Sequence, residues 1–257
     1  MAFGLIVIGD EILSGKRQDK HFAKVVELLA ARGLKLAWAR YLGDDRPRLV
    51  RNLRETLAGD DVVFSCGGIG ATPDDHTRQA AAEARGVALA LNPAARDLIA
   101  GHMAEIDQPL TPERLRMGEL PEGSALIPNP YNRIPGFSLD HHHFVPGFPV
   151  MAWPMIEWVL DTRYRDRFGA DREAERGGLV TGLNEGTLTP LFDAVERAFP
   201  GVRVWSLPRV DPDRRFRYEI DLGVKGPADR VDPAYDRLRT GVLALGGTIA
   251  DQAGSAT

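Results

Sequence analysis

The sequence predicts an α/β protein in two parts. A three-layer α/β/α domain with a mainly parallel sheet is expected over residues 1–168, and a small α+β domain of ferredoxin-like order over 169–257. Three observations predict this. Short apolar runs with branched residues alternate with amphipathic stretches of ten or more residues. Turns carrying Gly and Asp follow each of the first three runs. Around residues 166–177 the composition shifts to Arg, Asp, Glu and Gly, which marks a linker before a different rhythm begins.

Leu5 to Ile8 is a short continuous apolar run, the pattern of a strand buried on both faces. The loop Gly9-Asp10-Glu11 to Gly15 follows it. Phe22, Val25, Val26 and Leu29 then fall at helical spacing, with Gly33 where a helix ends. Leu36 to Leu42 reads as a second strand, Gly43-Asp44-Asp45 as a turn, and Leu49, Val50, Leu53 and Leu57 as the inner face of a second helix. Asp61 to Cys66 is a third strand ending in Gly67-Gly68-Ile69-Gly70, and a third helix is expected from about Asp75 to Arg85, closed by Gly86. Residues 93–106 read as a further helix. Between 107 and 150 lie many prolines and glycines around short strand-like pieces at Ala125 to Ile127 and His143 to Val145, and Pro154 is expected to open a helix through Ile156, Val159 and Leu160.

In the second part, Gly178 to Thr181 is strand-like, Leu188 to Phe199 helical, and Val202 to Leu207 a strand. Phe216, Tyr218, Ile220, Leu222 and Val224 alternate strictly, so one face of that strand is buried. A helix through Val231, Leu238 and Val242 precedes a last strand at Thr248-Ile249. The order βαββαβ is that of a ferredoxin-like unit.

Composition narrows the function classes. The 257 residues are 44% hydrophobic and 26% charged, and no apolar run approaches a membrane span, so neither disorder nor a membrane anchor is expected. Lys and Arg number 32 against 36 Asp and Glu, a net charge of −4 without a basic block, so no nucleic-acid partner is expected. Residues 3–8 lack a basic flank and run straight into Asp10-Glu11, unlike a signal peptide. With Cys66 as its one cysteine, the chain is expected to work in the cytoplasm.

Ser65 to Thr77 is the most informative stretch. A glycine-rich turn between a buried strand and a helix brings backbone amides close to an anion, and the helix start favours phosphate. It is neither Gly-x-Gly-x-x-Gly nor a Walker loop. Asp74 or Asp75 capping a helix is the plainer alternative. Three acidic pairs follow the three strands: Asp10-Glu11, Asp44-Asp45 and Asp74-Asp75. In a parallel sheet they converge on one rim, where clustered carboxylates would hold Mg²⁺ or another divalent cation, with capping again the alternative for each pair alone. His141-His142-His143 reads as a hairpin or loop before a metal site, since adjacent strand residues point to opposite faces. Cys66, Trp153 and Trp158 read as core, and Arg209 and Lys225 as solvated surface.

These motifs carry a resemblance. Gly9-Asp10-Glu11-Ile12-Leu13-Ser14-Gly15, Gly43-Asp44-Asp45 and Gly67-Gly68-Ile69-Gly70-Ala71-Thr72-Pro73-Asp74-Asp75-His76-Thr77 resemble successive motifs of the molybdopterin-binding MogA/MoeA/CinA superfamily, most closely its CinA (competence/damage-inducible protein A) branch. Leu120 to Gly123, Asn129-Pro130, Pro135-Gly136-Phe137 and Val145 to Pro149 are similar to that branch too. The resemblance covers residues 3–162 and extends to Thr181 to Glu185 and Glu219 to Gly226. It implies a molybdopterin-binding-like first domain whose pocket includes Gly9, Asp10, Glu11, Gly67, Gly68, Gly70, Thr72, Asp74, Thr77, Pro135, Gly136, Pro146 and Gly147.

In this reading residues 67–70 cradle a phosphate and Thr72 and Thr77 donate hydroxyls. Asp10, Asp44 and Asp75 hold the cation or position a water, with Asp44 and Asp75 the catalytic candidates. The ligand would be a molybdopterin-type or nucleotide diphosphate molecule. An alternative activity is divalent-metal-dependent hydrolysis of the pyrophosphate of ADP-ribose-like nucleotides. A homodimer or other homo-oligomer is expected, with the second domain contributing to it. Nicotinamide-nucleotide deamidation, the work of a further CinA domain, does not transfer to these residues. Two departures stand out: Asn132-Arg133-Ile134 replaces the family's Gly-Thr-Ala before Pro135-Gly136, and Met151 replaces a glutamate. A binding protein without catalysis therefore remains the second function class.

Overall fold

A computed structural model describes residues 1–170, 173–209 and 219–251, in two compact units, 1–171 and 172–257. The first unit opens with β1 (Phe3–Ile8), α1 (Asp10–Leu13), α2 (His21–Ala30), β2 (Leu36–Leu42), α3 (Arg46–Leu57), β3 (Val62–Cys66) and α4 (Thr77–Arg85). It continues through β4 (Leu89–Leu91), α5 (Pro93–Glu105), α6 (Pro112–Leu115), β5 (Glu119–Pro121), β6 (Ala125–Ile127), β7 (Gly136–Leu139), β8 (His142–Val145) and α7 (Pro149–Arg163).

Six strands form one sheet in the order β2-β1-β3-β8-β7-β6. The first four are mutually parallel, β7 runs antiparallel to β8, and β6 runs antiparallel to β7. Strand β1 explains the layering. Phe3, Leu5 and Val7 enter a cluster with Val25 and Leu29 of α2 and Met155, Ile156 and Val159 of α7, whereas Ile6 and Ile8 enter another with Leu49 and Leu53 of α3 and Ala80 and Ala81 of α4. Alternate side chains thus feed opposite faces, and burial on both requires the unbroken apolar run seen in the sequence. The α/β class and mostly parallel sheet stand as expected.

Local starts and stops follow the chain chemistry. Asp45 caps α3 by accepting from the Arg48 N–H at 2.9 Å, and Asn92 caps α5 from the Ala95 N–H at 3.1 Å. Gly86 ends α4 at φ 76°, where a side chain would be strained.

Several expectations need correction. On α2 the buried face is His21, Val25, Leu28 and Leu29, while Phe22 and Val26 are 44% and 40% exposed; two helical stripes overlap there, and packing against β1 and α7 selects the other one. Pro154 does not open α7 but lies inside it, because Pro149 already occupies the first turn. Helix α4 begins at Thr77 rather than Asp75, and neither Asp74 nor Asp75 caps it.

The second unit runs β9 (Ala174–Thr181), α8 (Glu185–Ala198), β10 (Arg203–Arg209), β11 (Glu219–Gly226), α9 (Ala228–Ala244) and β12 (Thr248–Asp251). Its sheet is antiparallel in the order β10-β11-β9-β12. Ile220, Leu222 and Val224 of β11 pack with Val231, Tyr235 and Leu238 of α9. Phe216 and Tyr218 of the expected alternation lie outside the described residues. The expected linker is shorter than its composition suggests, since β9 already begins at Ala174.

Candidate functional site

The turn after β3 is fixed by glycine and by α4. Gly67 has φ 115° and Gly68 φ 68°, and a Cβ on either would collide, with the Ile8 carbonyl oxygen for Gly67 and Thr77 Oγ1 for Gly68. Thr77 Oγ1 donates to the Gly67 carbonyl and Thr77 N–H to the Gly68 carbonyl, both at 3.0 Å. Arg78 donates to the Gly70 carbonyl at 2.5 Å. A trans peptide sets its N–H opposite its C=O. Tying the carbonyls of 67, 68 and 70 inward therefore turns the N–H groups of Gly68, Ile69 and Ala71 outward. Among the described residues, none of the four N–H groups from Gly68 to Ala71 has a hydrogen-bond partner.

A cavity of about 570 Å³ opens beside this turn. Gly9, Glu11, Gly67, Gly68, Gly70, Thr72, Asp44, Asp74, Asp75, Pro135, Pro146 and Gly147 all line it, so the structure brings most of the sequence-derived set together. Asp10, Thr77 and Gly136 do not line it. The Thr77 hydroxyl is buried and spent on the Gly67 carbonyl, so it locks the turn instead of facing a ligand. Gly136 is buried in β7, where a Cβ would strike the Phe144 carbonyl.

The acidic residues do not form the expected cation site. Asp10 N–H donates to Asp44 Oδ2 at 2.9 Å, and Asp44 N–H donates to Asp10 Oδ1 at 3.2 Å, clasping the ends of β1 and β2. Asp75 Oδ2 accepts from both the N–H and the hydroxyl of Thr72. With these oxygens engaged in loop geometry, no group of three or more His, Cys, Asp or Glu among the described residues is placed to hold a metal ion. Asp10, Asp44 and Asp75 are therefore not a metal triad. Burial raises the Asp44 carboxyl above the ordinary range, opposed by its bond from Asp10 N–H and reinforced by the negative charges of Asp10, Glu11 and Asp74.

Sequence reasoning missed several wall residues. Among the described residues Arg17 is the one cationic side chain lining the cavity, and Met117 and Phe148, with the already noted departures Ile134 and Met151, supply an apolar wall. Phe148 is 53% exposed. The departure Asn132-Arg133-Ile134 is knitted into the rim. Asn129 Nδ2 donates to Asn132 Oδ1 at 2.7 Å, Asn132 Oδ1 accepts from Ile134 N–H at 3.1 Å, and Arg133 pairs with Glu105 at 2.7 Å. The signal that was available for Arg17 is its place two residues after the Gly9 to Gly15 motif.

Elsewhere, His142 and His143 lie in β8 and are buried, His142 bonding Thr56 Oγ1 and His143 bonding Ser138 and Tyr164. Cys66 is fully buried, and burial pushes its thiol up. Arg209 pairs with Asp221 at 2.7 Å.

The site geometry coincides with a family match. The model of the probable molybdopterin-binding domain matches residues 4–165, which contain every cavity-lining residue among the described residues. The chain belongs to the molybdopterin-binding MogA/MoeA/CinA superfamily. Its CinA-like relatives include one from Syntrophotalea carbinolica, 32% identical over 206 residues, covering 76% of this chain and 50% of that protein. The chain thus spans about half the length of the first CinA-like relatives it matches. A protein from Caldivirga maquilingensis is 28% identical over 232 residues, covering 88% of each. The crystal structure of CinA, a protein with unknown function from Thermoplasma acidophilum, aligns with a TM-score of 0.57 at 26% identity over 63% of this chain and 98% of that one. In this CinA-like chain no helix among the described residues is long and apolar enough to cross a membrane.

Proposed function

We propose that the chain binds a phosphate-bearing small molecule of the pterin or nucleotide kind, with its phosphate on the turn from Gly67 to Ala71. The run of four unpartnered amides at Gly68 to Ala71, on the wall of a cavity, carries this reading. An oxyanion satisfies several such donors at once, and charge-assisted hydrogen bonds to it are stronger than those to water. The rest of the wall suits a heterocycle. Phe148, Met117 and Ile134 offer apolar surface to a flat ring, and the Glu11 and Asp44 carboxylates accept from a ring edge rich in N–H donors, such as that of a pterin or guanine. A cytoplasmic setting and a homo-oligomer formed with the second unit complete the proposal.

Isothermal titration with ADP-ribose, a phosphorylated pterin and their dephosphorylated counterparts tests it. The phosphorylated forms should bind at least tenfold more tightly, and equal affinity for both forms overturns the assignment. Formation of AMP and ribose 5-phosphate from ADP-ribose with Mg²⁺, Mn²⁺ or Co²⁺ separates binding alone from pyrophosphate hydrolysis, for which Asp44 and Asp75 on the cavity wall are the residues to replace.

A further inference from the structure

Arg78 lies one residue into α4 and is 2% exposed, yet it carries a guanidinium. Its Nη1 donates to the carbonyls of Arg116 and, at 3.3 Å, Glu119, and its Nη2 donates to the Gly70 carbonyl at 2.5 Å. Its Nε is buried without a partner. Among the described residues no carboxylate pairs with it; Asp75 and Glu119 act on it only through longer-range attraction. A buried cation is retained at high cost unless an opposite charge meets it. Three carbonyl dipoles solvate this one without neutralising it.

The three carbonyls also define what the side chain spans. Gly70 belongs to the amide-bearing turn, whereas Arg116 and Glu119 bracket Met117 on the apolar wall, so one rigid fork braces two sides of the same cavity. Holding the Gly70 carbonyl fixes the Ala71 N–H in the opposite direction. The positive charge sits behind the turn, on the far side of the amides from a bound anion.

We propose that Arg78 is the positioning residue of the anion site: its fork sets the Gly70-Ala71 peptide, and its uncompensated charge is completed by the anionic group that the turn receives. The proposal rests on the phosphate reading of the turn. Arg78 does not line the cavity and touches no ligand; it acts through Gly70 and through its field. It therefore favours anions over neutral molecules of the same shape.

The test uses inorganic pyrophosphate as probe, with the full chain as wild type, Arg78→Lys and Arg78→Met, each checked by circular dichroism and titrated at several salt concentrations. Wild type should bind. Arg78→Met should weaken binding tenfold or more and flatten its salt dependence, because a screened charge has been removed. Arg78→Lys should lose threefold or more yet keep the wild-type salt dependence, since it retains charge but not the fork. A merely structural brace would lower affinity without altering the salt dependence. Absence of binding to wild type overturns the phosphate reading itself and this proposal with it. Wild-type binding together with undiminished affinity in Arg78→Met overturns the role of Arg78 alone. If Arg78→Met does not fold, Arg78→Lys decides: wild-type affinity in it overturns the positioning role, and the loss with salt dependence intact supports it.

Discussion

Asp10 and Asp44 exchange hydrogen bonds reciprocally, each backbone N–H donating to the other's carboxylate, at 2.9 and 3.2 Å, across the ends of neighbouring parallel strands. The clasp puts two negative charges together, and burial holds the Asp44 carboxyl above its ordinary range. A carboxyl raised in the fold favours the protonated folded state, so its contribution is present below the ordinary carboxylate range and is lost as pH rises through the raised value. Asp44→Asn keeps an acceptor for the Asp10 N–H and removes the charge. It should match or exceed the wild-type melting temperature at pH 7 and lose any advantage at pH 3. Asp44→Ala, which leaves that N–H to water, should be less stable by up to about 1 kcal/mol. A lower melting temperature for Asp44→Asn at pH 7 would show that hydrogen bonding outweighs repulsion in the clasp.

Gly68 and Thr77 form a second coupled pair. Gly68→Ala places a side chain at φ 68° and drives its Cβ into Thr77 Oγ1. The left-handed backbone costs roughly 1–2 kcal/mol and the disturbed hydroxyl bond about 1 more, so denaturant unfolding should show a loss of about 2–3 kcal/mol. Thr77→Ala removes the obstructing hydroxyl along with the Gly67 bond. The double variant should therefore lose less than the sum of the two single ones. Strict additivity would mean that the two residues do not share this contact.

His142 and His143 make the first unit acid-sensitive. Burial is the largest cause pushing both down to about 3. His142 Nε2 meets Thr56 Oγ1 at 2.8 Å, while its Nδ1 is buried without a partner among the described residues. Protonating Nδ1 would bury an unmatched charge. The neutral-ring contribution is fully present above pH 6.5 and is lost as pH falls toward 3, on the order of 3 kcal/mol per ring by pH 4. His142→Gln should flatten this acid limb in chemical denaturation at pH 4 to 7. An unchanged slope would place the acid sensitivity elsewhere.

The legible part of this molecule is the part in which side-chain type and backbone period agree. The run Leu5 to Ile8 announces a strand buried on both faces because every residue in it is apolar, and Gly67 and Gly68 announce a turn that side chains do not tolerate. Convergence of Gly9, Asp44 and Asp75 on one cavity also follows from strand order, since parallel strands put their ends at one rim. What stayed hidden depends on direction. Nothing in the spacing says that Thr77 turns its hydroxyl inward, that Asp75 folds onto Thr72, or that Asp10 and Asp44 spend themselves on each other. Arg78 was invisible for the opposite reason, because an arginine early in a helix ordinarily faces solvent and only the fold shows it buried.

Among the described residues the cavity lining falls between Ile8 and Met151, and the first unit has its own clusters on both faces of its sheet. The second has a separate cluster built from β9, β11, α8 and α9. Unit one therefore carries both its own core and the cavity, whereas the shorter second unit, starting at residue 172, is the one expected to gain from a partner. A chain ending at residue 171 should unfold cooperatively and bind pyrophosphate within about twofold of the full chain. Its mass by light scattering should fall from that of a homo-oligomer to that of a monomer. Loss of pyrophosphate binding with the oligomer intact would reverse the two roles.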